Sequence, residues 1–351
     1  MRKSILLLMG LISIWNSHSQ KSKTINGIFN DKTEKNDSIY LWNLNFIKYL
    51  EKSKIVINIK NNRFELKNEF SYPQLYHIIL NREYGKLAAR PGFYFIDNSS
   101  TKIIIDSTYA KNEVNGKTGT EFKTKFIPFF LKNEPKKTIE NLIWDDSNEF
   151  EKKLQLYTLQ NPDSYVALWL FIEKVRHSGY SSYSSETLSS FSNKIKAEKL
   201  WKIINQEYLD LKIIPNKKFP EFALQNVDLK PEILNIPKAK YTIIDFWFSR
   251  CKPCLEEMPQ LISIYDKFKQ KGFNVIGISV DQTPNLEIWQ KRIGIYKIPW
   301  KNYLDENAVL AHNEKIFSSP THFLLNENGE VIQKNIELDE LEKLLTQELK
   351  D

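Results

Sequence analysis

The sequence predicts a C-terminal α/β domain, a mixed sheet with helices on both faces, preceded by a small β-rich domain and a helical segment. Three patterns support this prediction. Apolar residues alternate with polar ones in short runs within residues 24–125, they recur at helical spacing within residues 135–212, and strand and helix patterns alternate within residues 215–351 until a closing hairpin. The chain has 351 residues, of which 41% are hydrophobic, so it is long enough for several folded domains.

The first residues have the pattern of an export signal. Arg2 and Lys3 precede an apolar run at residues 5–15, and small polar residues follow up to Ser19. The apolar run is shorter than the roughly 20 residues that span a bilayer, which argues against a membrane anchor. We therefore expect a signal peptide at residues 1–19 and a mature protein in the periplasm or cell envelope.

The charge of the chain does not indicate a nucleic-acid partner. The net charge is +7, but the lysines are scattered from end to end. They form no dense basic tract interleaved with aromatic residues, which a nucleic-acid surface would require. We interpret the charges as solvated surface.

Residues 24–125 are predicted to form the β-rich domain, whose function the sequence does not give. Alternating isoleucines and other apolar residues at 55–66 indicate a hairpin around an Asn61-Asn62 turn. Residues 111–124 are polar and contain two glycines, so a loop is expected there. The aromatic residues of the strands are more typical of a core than of a ligand groove.

Residues 135–212 are predicted to form a helical spacer. The apolar residues between 165 and 172 follow the i, i+3, i+4, i+7 spacing of an amphipathic helix. Those between 200 and 211 follow i, i+3 and i+4 and then i+11, which predicts a second such helix. Asn161-Pro162 marks the break before the first of these helices.

Residues 215–351 alternate between strand and helix. An apolar run at 241–248 predicts a buried strand, which ends just before a helix that begins at Cys251. Further strands are predicted at 273–280, 300–304, 322–326 and 330–333, and further helices at 284–293, at 308–314 and from 338 onwards.

Cys251 and Cys254 are the only cysteines, and they lie where this strand passes into the helix. Pro253 fits the first helical turn, where a missing N–H costs nothing. The free N–H groups and the dipole at this end of a helix favour the thiolate form of a cysteine. Two residues separate the pair, so redox chemistry explains it better than a structural disulfide.

Four segments carry a resemblance to a known family: DFWFSRCKPCLEEMP, VIGISVD, SSPTHFLL and NGEVI. Their order over residues 215–350 resembles the thioredoxin fold, and specifically the exported TlpA/ResA-like thiol–disulfide oxidoreductases. The resemblance implies protein disulfide substrates and an electron donor in the membrane. It implies no cofactor and no metal. The β-rich domain resembles the poorly characterised domain that precedes thioredoxin-like domains in other exported proteins.

The resemblance also implies roles for individual residues. Cys251 matches the exposed nucleophile, and Cys254 matches the more buried thiol that resolves the mixed disulfide. Asp245 matches the family's buried carboxylate, and Glu257 matches a carboxylate of ResA-like members in the first turns of the active-site helix. A carboxylate in an apolar setting can exchange a proton near neutrality, so either is a candidate general base.

Pro320 matches the family's cis-proline, which lies against the cysteines and exposes the preceding backbone to a substrate strand. A proline there also hinders metal capture. Two of the departures from thioredoxin change the charge of the site. Arg250 replaces a tryptophan and adds a cation beside Cys251, whereas Gly277 replaces a lysine, so that Asp245 is expected to lack a compensating charge.

Three other interpretations are less favoured. In a binding module, the β-rich domain would hold a ligand or envelope partner and the C-terminal domain would be a scaffold. A peroxidase would have Thr or Ser three residues before its reactive cysteine, where this chain has Phe248. A structural zinc site requires four ligands, and His312 and His322 have no suitable spacing. The direction of electron flow is left open, because potentials in this fold vary widely.

Overall fold

The computed structural model describes residues 23–30, 38–43, 46–81, 87–106, 112–132, 136–145 and 148–350. The predicted signal peptide, residues 1–19, lies outside these ranges. Within them, every helix is too short or too polar to cross a bilayer.

The N-terminal strands form two four-stranded sheets. The strands are Lys23–Asn30 (β1), Ser38–Trp42 (β2), Lys54–Asn58 (β3), Arg63–Asn68 (β4), Gln74–Asn81 (β5), Leu87–Ile96 (β6), Lys102–Asp106 (β7) and Glu113–Asn115 (β8). One sheet has the order β4-β1-β7-β8 and the other β3-β2-β5-β6. The expected hairpin at residues 55–66 is therefore wrong except at its turn, where Lys60 bridges Arg63. Each strand instead pairs along its whole length with another strand, β3 with the preceding β2 and β4 with β1.

Residues 117–131 are helical, so the predicted loop at 111–124 is wrong. Helix Lys117–Glu121 (α1) continues through a π-helical turn, Phe122–Phe126, into Ile127–Leu131 (α2). Gly119 lets α1 lie against β8, since a Cβ there would come within 2.9 Å of the Val114 carbonyl oxygen. A glycine required for close packing was thus indistinguishable, in sequence, from a glycine of a loop.

Six further helices follow among the described residues of this part: Ile139–Trp144 (α3), Glu149–Gln160 (α4), Tyr165–Ser178 (α5), Ser184–Ser190 (α6), Asn193–Ala197 (α7) and Lys199–Leu209 (α8). Helix α5 begins after Asn161-Pro162, and its N-cap Ser164 accepts a hydrogen bond from the Ala167 N–H. The expected amphipathic pattern of α5 is wrong, because Val166 and Phe171, off the apolar stripe, are buried as well. Strand and helix residues between 25 and 211 share one buried cluster. The division at residues 125–135 stays a prediction.

Glu173 on α5 makes stability depend on pH. Burial, with Glu140 nearby, raises the pKa of Glu173 to about 7, and its Oε2 has no hydrogen-bond partner among the described residues. Because the folded pKa exceeds the unfolded value of about 4.3, the folded state binds more protons between these values, and stability falls as pH rises through them. We expect Glu173→Gln to remove about 2 kcal/mol of the loss between pH 5 and pH 8.

Urea unfolding at the two pH values measures this difference. Glu327→Gln, in an exposed turn, is the matched control and should leave the pH dependence as in the wild type. Equal pH dependence in the wild type and Glu173→Gln would contradict the assignment.

The C-terminal part confirms the predicted α/β architecture. Its strands are Ala223–Gln225 (β9), Pro231–Ile233 (β10), Tyr241–Trp247 (β11), Phe273–Ser279 (β12), Lys301–Leu304 (β13), Thr321–Asn326 (β14) and Val331–Lys334 (β15). They form one mixed sheet in the order β10-β9-β13-β12-β11-β14-β15. The helices are Lys252–Phe268 (α9), Leu286–Tyr296 (α10), Val309–Asn313 (α11) and Leu338–Glu348 (α12). Residues of α9, α10 and α12 join the buried cluster on one face, and Ala311 of α11 joins that on the other.

Strand β11 lies inside the sheet, parallel to β12 and antiparallel to β14. Successive side chains of a strand point to opposite faces. Ile243 and Trp247 belong to the cluster that contains Cys254, whereas Ile244 and Phe246 belong to the other cluster. Asp245 therefore faces the helix that carries Cys254.

Polar contacts hold this sheet against the preceding helices. The buried Lys334 Nζ donates hydrogen bonds to the carbonyl oxygens of Ser178 (3.1 Å) and Tyr180 (2.7 Å), at the end of α5. Arg176 of the same helix lies over the ring of Phe317, 5.1 Å from its centroid. The last turn of α5 thus contacts the segment that leads to Pro320.

Candidate active site

The turn between β11 and α9 is fixed by a buried carboxylate. Asp281, just after β12, accepts hydrogen bonds from the Ser249 N–H (2.8 Å), the Ser249 hydroxyl (2.7 Å) and the Ser279 hydroxyl (2.7 Å). Ser249 and Ser279 are completely buried. These bonds hold the residues immediately before Cys251 in place. Asp281 was not among the site residues predicted from the sequence.

Cys251 and Cys254 are joined in a disulfide, with Cα atoms 5.3 Å apart. Cys251 is the N-cap of α9, and the Cys254 N–H points at the Cys251 Sγ at a distance of 3.2 Å. A free N–H at the positive end of a helix stabilises negative charge on this sulfur. The position therefore suits a thiolate at Cys251.

The expected difference in exposure between the two cysteines is not present. Both are 3% exposed, because the segment before Pro320 lies over Cys251, with the Ser319 carbonyl oxygen 3.5 Å from its Sγ. Exposure consequently does not distinguish the nucleophile from the resolving thiol, and the assignment of Cys251 as the nucleophile stays a prediction.

Asp245 is buried at 3% exposure between two neighbouring strands. It lies opposite Gly277 of β12 and opposite His322 of β14. A Cβ at Gly277 would come within 2.2 Å of the Asn302 Oδ1, which accepts a hydrogen bond from the Trp247 indole N–H at 3.2 Å. Neutral groups, Gly277 and Asn302, thus occupy the side of Asp245 on which thioredoxin's lysine is expected.

His322 supplies a compensating charge on the other side of Asp245, a partnership that was not predicted from the sequence. Its Nε2 lies 3.4 Å from Asp245 Oδ1. Burial opposes a charged imidazole, but the Asp245 carboxylate, and Glu257 beyond it, raise the pKa of His322 above its ordinary value. The expectation that Asp245 lacks a compensating charge is therefore wrong. The sequence carries no local signal for this partnership, because it depends on the antiparallel register that pairs residue 245 with residue 322.

Glu257 lies at the outer end of this group. Its Oε2 is 4.0 Å from His322 Nε2, and its side chain is 41% exposed. Partial burial raises the pKa of Glu257 above its ordinary value. The positive charge of His322 lowers this pKa, whereas the negative charges of Asp245 and Glu337 raise it further. Glu256, its neighbour in sequence, instead points to solvent and pairs with Lys252 at 3.6 Å.

A groove of about 400 Å³ opens beside the disulfide. It passes Ser319 and Pro320, whose peptide bond is cis. Its other walls include Glu257, His322, Asn335 and Glu337. The groove therefore connects solvent with the buried acid–base groups.

In the described part of the chain, no three His, Cys, Asp or Glu side chains are grouped in a way that could hold a metal ion. His312 lies exposed on α11, with its ring against Phe317. The site thus consists of a dithiol/disulfide pair, a buried carboxylate, an imidazole and a second, half-exposed carboxylate. These groups can exchange disulfides and move protons.

Known proteins resemble the C-terminal part. The model of the AhpC/TSA family matches residues 215–334. A thiol-disulfide oxidoreductase ResA of Bacillus cereus is 31% identical over 121 residues, which are 34% of this chain and 68% of that protein. The sporulation thiol-disulfide oxidoreductase A of Bacillus subtilis is 33% identical over 110 residues, 31% of this chain and 67% of that protein. The crystal structure of the thioredoxin domain of a thiol-disulfide oxidoreductase from Bacteroides vulgatus aligns with 40% of this chain and 100% of its own at 27% identity, with a TM-score of 0.35.

Proposed function

The chain belongs to the ResA-type thiol–disulfide oxidoreductases, with a thioredoxin-like fold at its C-terminus, and from this premise we propose that it reduces disulfides of exported envelope proteins through Cys251 and Cys254. The observation that carries the proposal is the position of Cys251 as the N-cap of α9, with the Cys254 N–H 3.2 Å from its sulfur. This N–H stabilises the thiolate that begins the exchange.

The reaction has two steps. The Cys251 thiolate attacks one sulfur of the substrate disulfide, forms a mixed disulfide and releases the other substrate sulfur as a thiolate. Cys254 then loses its proton to Asp245, and its sulfur attacks the Cys251 Sγ. The substrate leaves as a dithiol, and the enzyme holds the Cys251–Cys254 disulfide. Glu257 is the alternative proton acceptor, at the groove.

The groove beside Pro320 is where a substrate strand would lie. The Ser319 carbonyl oxygen, 3.5 Å from the Cys251 Sγ, is placed to accept a backbone hydrogen bond from such a strand. Export rests on the pattern of residues 1–19. An exported reductase also requires an electron donor, for which a membrane protein is the proposal.

A peroxidase is less well supported, although the family model that matches is that of AhpC/TSA. The position three residues before Cys251 is Phe248, which carries no hydroxyl. The hydroxyl of Ser249 is bound to Asp281 and is not free to orient a peroxide. The binding-module alternative is not favoured, because the relatives that match are thiol-disulfide oxidoreductases.

Insulin reduction with dithiothreitol as electron donor tests the proposal. The wild type should accelerate precipitation of the insulin B chain, and Cys251→Ser should fall to the rate of dithiothreitol alone, because the attacking thiolate is gone. Glu256→Gln, an exposed change on the same helix, should keep the wild-type rate. A wild type without activity would contradict the proposed function and favour a scaffold.

A further inference from the structure

We propose that His322 is a positioning residue that links the buried Asp245 carboxylate to Glu257 at the groove and so sets the pH range in which Cys254 resolves the mixed disulfide. The inference rests on the two-step reaction proposed above. It adds a group, the His322 imidazolium, that gives its Nε2 proton to Glu257 and then takes up the proton that Asp245 received from Cys254.

The register of the sheet places the two side chains together. Asp245 of β11 and His322 of β14 are direct partners in an antiparallel pair. Partners in such a pair point to the same face, with Cβ atoms about 5 Å apart. Leu324, two residues after His322, belongs to the cluster that contains Cys254. Asp245 and His322 thus both face the helix of the two cysteines.

The distances form a path from the interior to the groove. His322 Nε2 lies 3.4 Å from Asp245 Oδ1 and 4.0 Å from Glu257 Oε2. Among the described residues, Asp245 Oδ1 accepts no aligned hydrogen bond, so this oxygen is available to a proton. The exposed fractions of the side chains rise along the path, from 4% for Asp245 through 8% for His322 to 41% for Glu257.

Within the described ranges, no other cation of the surrounding elements replaces His322. On β12 and β13 the space beside Asp245 holds Gly277 and the neutral Asn302. On the segment after β15, Glu337 adds negative charge near Glu257. Lys334 lies on the opposite face, where it contacts Phe323 and the carbonyls at the end of α5.

His322 acts in the second step of the reaction, in which Cys254 resolves the mixed disulfide. Cys254 transfers its proton to Asp245 and attacks the Cys251 Sγ; the Cys254–Cys251 bond forms and the Cys251–substrate bond breaks. The two electrons of the dithiol pass to the substrate disulfide. An imidazolium beside Asp245 also offsets the carboxylate charge, which would otherwise oppose the Cys254 thiolate. Without His322, Cys254 should ionise only at higher pH.

Reaction of the reduced protein with dithiobis(nitrobenzoate) separates the two steps. The attack of Cys251 releases one nitrothiobenzoate anion, and the attack of Cys254 on the resulting mixed disulfide releases the second. In His322→Leu and His322→Gln we expect the second release to slow about tenfold at pH 7, with its pH midpoint moved upward by about one unit. The first release should stay within about twofold of the wild type, since Cys251 depends on the helix N-terminus.

A purely structural role would change both releases and leave the pH midpoint where it is. An unchanged midpoint in both variants overturns the inference. The adjacent glutamates test the outer end of the path: Glu257→Gln should slow the second release about threefold, and Glu256→Gln should not. Equal behaviour of these two variants would also overturn it. If the wild type itself shows no second release, the proposed function fails instead.

Discussion

Cys254→Ala is expected to stop the reaction at a mixed disulfide between Cys251 and the substrate. Cys251 still attacks, because its N-cap position on α9 is unchanged. No sulfur is then held next to the Cys251 Sγ to displace the substrate. An intramolecular nucleophile raises the effective concentration by several orders of magnitude, so we expect release to slow by about a thousandfold or more. Intact mass should show one substrate molecule per chain.

The matched variant Cys251→Ala decides the assignment of the two sulfurs. Cys254 follows Cys251 in the helix, and among the described residues its own sulfur receives no N–H contact comparable to that of Cys251, so this variant should accumulate no adduct. Both cysteines are 3% exposed, so burial alone would allow either to attack. Trapping by Cys251→Ala and not by Cys254→Ala would reverse the roles.

The C-terminal elements were predictable because local patterns determine them. The strand predicted at 241–248 begins with β11 and ends one residue after it. The helix predicted from Cys251 begins one residue before α9. The run of β-branched and aromatic residues, the proline in the first turn and the change of period all favour the same structure there. The position of the two thiols at a helix N-terminus follows from those patterns alone.

The partnership of Asp245 with His322 was not predictable in the same way. It depends on the register of two antiparallel strands that are far apart in sequence, and a shift of one residue would place His322 on the other face. The replacement of a lysine by Gly277 indicated a missing cation. That replacement did not indicate that β14 supplies a different cation, His322.

Tertiary packing overrode the local patterns in the N-terminal part. Strands β3 and β4 leave their shared turn for different sheets, and α5 is buried on more sides than its apolar stripe indicates. In both cases the outcome depends on which elements pack together, and the periodicity of a segment carries no information about its partners.

Asp281→Ala is expected to destabilise the folded protein by about 3 kcal/mol. The carboxylate accepts two hydrogen bonds from Ser249 and one from Ser279, all at 2.7–2.8 Å. Its removal leaves the completely buried Ser249 N–H and hydroxyl without acceptors, and a buried donor without a partner costs its full desolvation penalty. Urea unfolding of the oxidised proteins measures the change.

Two variants control this measurement. Asp281→Asn keeps the size of the side chain and one oxygen acceptor, so its cost should lie between those of the wild type and alanine. Asp228→Ala, at an exposed position in the turn between β9 and β10, should change stability by less than about 0.5 kcal/mol. If Asp281→Ala costs no more than Asp228→Ala, the turn before Cys251 is held by the sheet and the helix themselves, and the buried carboxylate is dispensable for the geometry of the disulfide.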